Sequence, residues 1–193
     1  MQLLDFLVTQ AHANRLANHR LHHAMRDLTS EEYLATRTSF FPSLAETLQH
    51  ILEVDLYYIS ALHGEADMAR HWDETPKHET VASLAAAQAV SDQRFIDHVA
   101  GLDAAALDDV VEMVRDGGAR IQRDRRGHVV AHLLNHQVHH RGQAHAMLAG
   151  TAVKPPQLDE FLMPSEAHFR RDELAALGWT EAMLFPGEQR PGP

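Results

Sequence analysis

The apolar positions of the chain fall into long stretches of helical period separated by short polar breaks. Residues 2–28 contain no Pro or Gly and have helical composition. Thr29-Ser30-Glu31-Glu32 is a capping-box pattern, so a short turn and a second helical start are expected there. Ser43 and Glu46 repeat that pattern after Phe41-Pro42 and open a helix expected to reach about His63, where Gly64 is placed to stop it. Residues 64–79 are polar and irregular and read as a long connection. Thr80 to Ala100 is Ala-rich and helical, ending before Gly101. Around Asp116-Gly117-Gly118 the spacing predicts a small β-hairpin, because Asp-Gly and Gly-Gly suit tight turns. Arg126 to Leu148 is the next long helix, and Pro155-Pro156 ends any helix beyond it. The tail carries Pro164, Gly178, Pro186, Gly187, Pro191 and Gly192 and reads as short helix mixed with loop. The expected fold class is therefore all-α. It is a four-helix bundle with a long crossover between its second and third helices and a small β-hairpin before the fourth.

Composition narrows the chemistry. The 193 residues suit one domain, and the 45% hydrophobic share is that of a globular protein. Aromatic residues make up only 6%, and the Ala and Leu content favours packed helices over a large sheet. A net charge of −10 weighs against nucleic acid or anionic lipid as partner. No Cys is present, which excludes disulfides, thiolate metal ligands and a protein thiol nucleophile. The opening MQLLDFLVTQAHANRL lacks the basic start and cleavage site of a signal peptide, and no apolar run reaches the length of a membrane span. A cytoplasmic protein is expected. The unusual count is 16 His, the commonest metal ligand and the acid/base of neutral pH.

Their placement on the last long helix is informative. At about 100° per residue, His140 lies about 40° from His136, and Val129, Met147 and Leu133 fall within about 60° of it. Both histidines therefore sit inside the apolar stripe, while His128, His132 and His139 occupy its margin. Imidazoles four residues apart project one turn apart on one face, with Cβ atoms roughly 6 Å from each other. One ion could satisfy both rings, whose burial without partners would otherwise cost free energy. A lone inward histidine is more often a hydrogen-bonded core residue, and HxxxH recurs by chance in a His-rich chain. A metal site also needs a ligand from another element. His50, on the border of a stripe containing Leu44, Leu48, Ile51, Ile59 and Leu62, is the best candidate. A border position suits a ligand between helices and a partly exposed side chain equally.

The stretch Asn135-His136-Gln137-Val138-His139-His140-Arg141-Gly142-Gln143 resembles the NHxxHHRGQ signature of the DinB family of metal-dependent proteins. Leu48-Gln49-His50-Ile51-Leu52, followed by Asp55, resembles that family's second-helix motif, and Asn14-Arg15-Leu16-Ala17-Asn18 is similar to its first-helix pattern. The resemblance covers about residues 1–162 and includes Pro155-Pro156-Gln157-Leu158-Asp159. It implies a four-helix bundle with a long connection between helices two and three, and three metal ligands at His50, His136 and His140. Residues 1–162 are thus the expected bundle domain, and residues 163–193 an extension packed on it or trailing from it. The resemblance also implies a homodimer and a low-molecular-weight-thiol transferase or isomerase.

Other groups have blander readings. His19, His22 and His23 share a helical face and form a rival site, but Arg20 and Arg26 repel a cation there, so a solvated face or subunit contact is expected. His12, His63, His71, His78, His98 and His168 read as surface residues. Gln143 is either an ordinary surface amide or a group orienting a ligand, and Asp55 points toward the core side of its helix. A ferritin-like di-iron site fails because no Glu-x-x-His is present, and HExxH is absent too. Three neutral histidines leave a divalent ion, zinc or nickel, with open positions. The expected function is a metal-dependent enzyme acting on a small molecule, with any thiol arriving as a cosubstrate. The alternatives are a non-catalytic metal-binding or stress-associated protein and a metal-dependent hydrolase.

Overall fold

The computed structural model describes residues 2–159 and 162–187. It is mostly helical, with one small sheet. Four long helices, α1 (Leu3–Met25), α3 (Leu44–Leu62), α4 (Val81–Ala100) and α5 (Arg126–Leu148), are joined by shorter elements: α2 (Ser30–Leu34), β1 (Val110–Arg115), β2 (Arg120–Arg125), α6 (Arg171–Leu177) and α7 (Glu181–Leu184). Both expected N-caps are present, the first as a reciprocal box and the second as a single bond. Thr29 and Glu32 form a reciprocal capping box at α2, the Ser43 hydroxyl accepts the Glu46 N–H, and Thr80 caps α4 in the same way. The first helix ends three residues before Leu28, where the expected helical stretch closed. The hairpin pairs antiparallel from Val110–Arg125 to Arg115–Arg120, turning through Asp116, Gly117 and Gly118, all at positive φ.

Helix α1 packs along α4, α3 along α5, and the pairs α3–α4 and α1–α5 complete the contacts among the long helices. Two apolar clusters fill the interior. One gathers Leu7, Tyr57, Phe95, Val99, Met113, Val130 and Leu133 with the tail residues Leu174, Trp179 and Leu184. The other gathers Leu21, Met25, Tyr33, Leu48, Leu52, Leu84, Ala144 and Leu148. Their order along each helix gives its direction. Helices α1 and α5 run from the first cluster to the second, whereas α3 and α4 both run from the second to the first. Two consecutive helices with the same direction require a connection that travels the length of the core, which residues 63–80 supply.

Between the two clusters every long helix turns polar inside. Asn14 and Asn18 of α1, Asp55 of α3, Gln88 and Asp92 of α4, and Gln137 and Arg141 of α5 are all buried. The hairpin is pinned on α3: Val111 and Met113 face inward, the Tyr57 hydroxyl donates to the Val114 carbonyl at 2.6 Å, and Arg115 Nη2 donates to the Tyr58 hydroxyl at 2.5 Å. The tail is tied to α1. Arg20 makes a two-pronged pair with Glu173, at 2.7 and 2.6 Å, and the Thr9 hydroxyl donates to the Leu184 carbonyl at 2.6 Å.

Candidate metal centre

The pairing of α3 with α5 brings three histidines together at the level of the polar layer. His50 reaches from α3, and His136 and His140 from successive turns of α5. One ring nitrogen of each lies within 4.8 Å of the others, the single group of metal-ligating side chains this close among the described residues. The His50 and His136 Nε2 atoms approach to 3.1 Å. Two nitrogens bound to one ion at about 2.0–2.1 Å in tetrahedral geometry would be roughly 3.3 Å apart, so this spacing fits a shared ion. His140 is buried, and the other two rings are partly buried.

The surroundings hold these rings neutral and oriented. Burial, then the neighbouring imidazoles, pushes His136 down to about 3, and burial with His140 beside it pushes His50 down to about 4. His140 is lowered too, chiefly by burial, although its bond to Gln143 works the other way. Gln143 Oε1 accepts from His140 Nδ1 at 2.8 Å, while the same amide's nitrogen reaches His139 Nε2 at 3.2 Å. The amide oxygen can only accept, so the His140 proton sits on Nδ1 and its Nε2 keeps a free lone pair. Phe41 covers one side, its ring 4.4 Å from His50 and 5.6 Å from His140. Beside His50 opens a cavity of about 340 Å³, walled by Leu34, Phe41 and Ala45 and rimmed by Glu53 and Lys77. One atom is unsatisfied: the buried His136 Nδ1 has no hydrogen-bond partner among the described residues.

The polar layer lies next to this cluster in sequence and space. Asp55 Oδ2 accepts from Gln88 at 2.6 Å and from Gln137, the neighbour of His136. Gln88 also donates to Asp92 at 3.0 Å, and Asn18 donates to both Asp92 oxygens at 3.1 Å. Burial and the nearby Asp92 push Asp55 well above the usual carboxylate range, against the opposing pull of Gln88, Arg141 and Gln137. Burial lowers Arg141 to about 10, still cationic at neutral pH.

A DinB family model matches residues 4–173. The chain belongs to the DinB family. It is 26% identical over 116 residues to the uncharacterized protein YizA of Bacillus subtilis (strain 168), an alignment covering 60% of this chain and 69% of that protein. The crystal structure of a DinB-like protein from Bacillus cereus ATCC 10987 resembles this fold with a TM-score of 0.56 at 15% identity, covering 73% of this chain and 89% of that one. Family and geometry together are compatible with metal binding by the three-histidine group.

The remaining sequence candidates separate clearly. His132 does not join the cluster, its ring lying 6.2 Å from that of His136. His19, His22 and His23 do not converge either: the His19 and His23 rings are 6.0 Å apart, and His22 is buried. His12, expected at the surface, is buried against Trp179 with ring centres 4.8 Å apart, because the tail folds back over α1. Gln143 orients the His140 ring, and Asp55 does face the core. Sequence reasoning missed Gln137 and Arg141. Their signal was available, since Gln137 sits about 100° from His136 on the wheel, inside the apolar stripe. No described helix is long and apolar enough to cross a membrane.

Proposed function

We propose that His50, His136 and His140 hold one divalent ion, zinc or nickel, and that the protein is a metal-dependent enzyme of the low-molecular-weight-thiol transferase type. The observation that carries this is the convergence of three neutral imidazoles from two helices, with ligand atoms within 4.8 Å of one another. The donor set suits a borderline divalent metal, and three protein ligands are the number found where a position stays open. The ion, when bound, would supply a Lewis acid able to keep a thiol as its thiolate at neutral pH.

The chain's own residues do the rest. Gln143 fixes the His140 ring through Nδ1, and Phe41 shields the His50 and His140 rings from water on one side. The cavity beside His50 gives a small-molecule substrate an apolar wall and a charged rim. With no Cys in the chain, the thiol is a cosubstrate. The helix pairings support a four-helix bundle whose long crossover is residues 63–80. A homodimer and a cytoplasmic location remain part of this reading, as does a division near residue 162 between bundle and extension.

The test is metal analysis of the purified protein beside His50→Ala, His136→Ala and His140→Ala variants. Each is expected to lose stoichiometric metal while keeping its helical circular dichroism. Retention of metal by all three sinks the site. Thiol consumption with an electrophilic cosubstrate, present in the loaded protein and lost in the variants, tests the transferase assignment. A loaded protein inert toward a panel of low-molecular-weight thiols overturns that part alone.

A further inference from the structure

Helix α5 carries chemistry on a second face. Its Arg141 points toward α1 and is only 7% exposed. One edge of the guanidinium is anchored: Nη1 donates to Asn14 Oδ1 at 2.7 Å, Asn18 Oδ1 at 2.9 Å and Gln137 Oε1 at 3.3 Å. All three acceptors are neutral amides. Among the described residues Arg141 forms no ion pair, and the carboxylates of Asp55 and Asp92 stand one amide further in, behind Gln137 and Asn18. Charged groups are seldom so deeply buried unless paired, and a guanidinium offers a planar fork that matches a carboxylate.

The other edge is open. Nε and Nη2 have no hydrogen-bond partner among the described residues, and neither is sealed from solvent. Arg141 borders a cavity of about 480 Å³ on the seam between α1 and α5. Ala13, Ala17, Leu134 and Val138 supply an apolar wall, and Gln10 a polar group. We propose that this cavity is a binding site for a small organic carboxylate, its carboxylate paired with the free edge of Arg141 and its apolar body against Ala17, Leu134 and Val138. An inorganic dianion fits less well. The wall is apolar, Arg141 is the one Lys or Arg lining it among the described residues, and Asp159 lies on the rim. The site does not depend on the metal reading, because it faces α1 while the three histidines face α3.

Benzoate is the probe, with benzamide as its neutral counterpart and inorganic phosphate as the competing anion, titrated into the full chain by calorimetry. Benzoate is expected to bind one per chain, and benzamide and phosphate to be silent. Val138→Asp is the decisive variant. Val138 is 63% exposed, so the substitution spares the core, and three residues from Arg141 on a helix it places a carboxylate at the cavity. It is expected to weaken benzoate about tenfold or more. His50→Ala is expected to bind benzoate as the wild type does, even after losing metal. The site is refuted by equal binding of benzoate and benzamide, by a response to phosphate alone, by unchanged affinity in a folded Val138→Asp, or by loss of binding in His50→Ala. A face closed by a second copy of the chain, with benzoate silent, refutes it as well.

Discussion

Gln143 is the residue at which orientation and metal affinity meet. It cannot touch an ion held by the three histidines, yet its oxygen fixes which nitrogen of His140 carries the proton. Gln143→Leu is therefore expected to weaken zinc or nickel affinity about 10- to 100-fold, the range found for groups that orient a ligand. Competition with a chelating dye measures it, and unchanged affinity would show that His140 needs no such support. Asp55 poses a different question, because its carboxyl is pushed toward the neutral form by burial and by Asp92. Asp55→Asn keeps an acceptor for Gln88 and Gln137 and is expected to cost under about 1 kcal/mol in urea unfolding. Asp55→Ala strands two buried N–H donors and is expected to cost about 2–3 kcal/mol. Equal losses in the two variants would mean that the negative charge, not the acceptor, is what the layer requires.

At the scale of the element, α1 couples the fold to acid. Burial, with Arg141 and His19 adding to it, holds His22 at about 4 against an ordinary value of 6.5, and burial lowers His12 as well, despite its bond to the Val8 carbonyl. A histidine depressed in the folded state takes its proton more readily when unfolded. Stability is therefore level above about pH 6.5 and falls as pH drops from there toward 4, where the folded state begins to accept the proton as well. His22→Gln is expected to lessen that decline, to which the depressed His50 and His136 also contribute, in metal-free protein followed by urea midpoint against pH. An unaltered slope would place the acid sensitivity elsewhere. The tail helices belong to the same element-scale picture: α6 and α7 place Leu174, Trp179 and Leu184 in the first apolar cluster, and Trp179 is the ring that covers His12.

For the whole molecule, the design is two apolar clusters separated by a polar layer, with the histidine cluster at the same level between α3 and α5. A metal bound there would join those helices at mid-length and stabilise the folded state by mass action. Assembly is the other question at this scale. A homodimer in solution is the expected state. Light scattering after size exclusion that gives only the monomer mass of 21.6 kDa would remove it.

The sequence by itself determined the helices, their caps at Thr29 and Ser43, and the inward placement of His136 and His140, because these depend on contacts within one or two turns. It also carried the DinB signature that singled out His50. Tertiary structure decided the rest. The His50 wheel position suited a ligand or a surface residue equally, and only the packing of α3 on α5 puts its Nε2 3.1 Å from that of His136. Gln137 and Arg141 were visible as polar residues near the stripe, but their partners are Asp55, Asn14 and Asn18, 82 to 127 positions away. The physical reason is the same in each case. A buried polar side chain must be satisfied, and when its own helix offers no partner, only the arrangement of the other helices says which group does it.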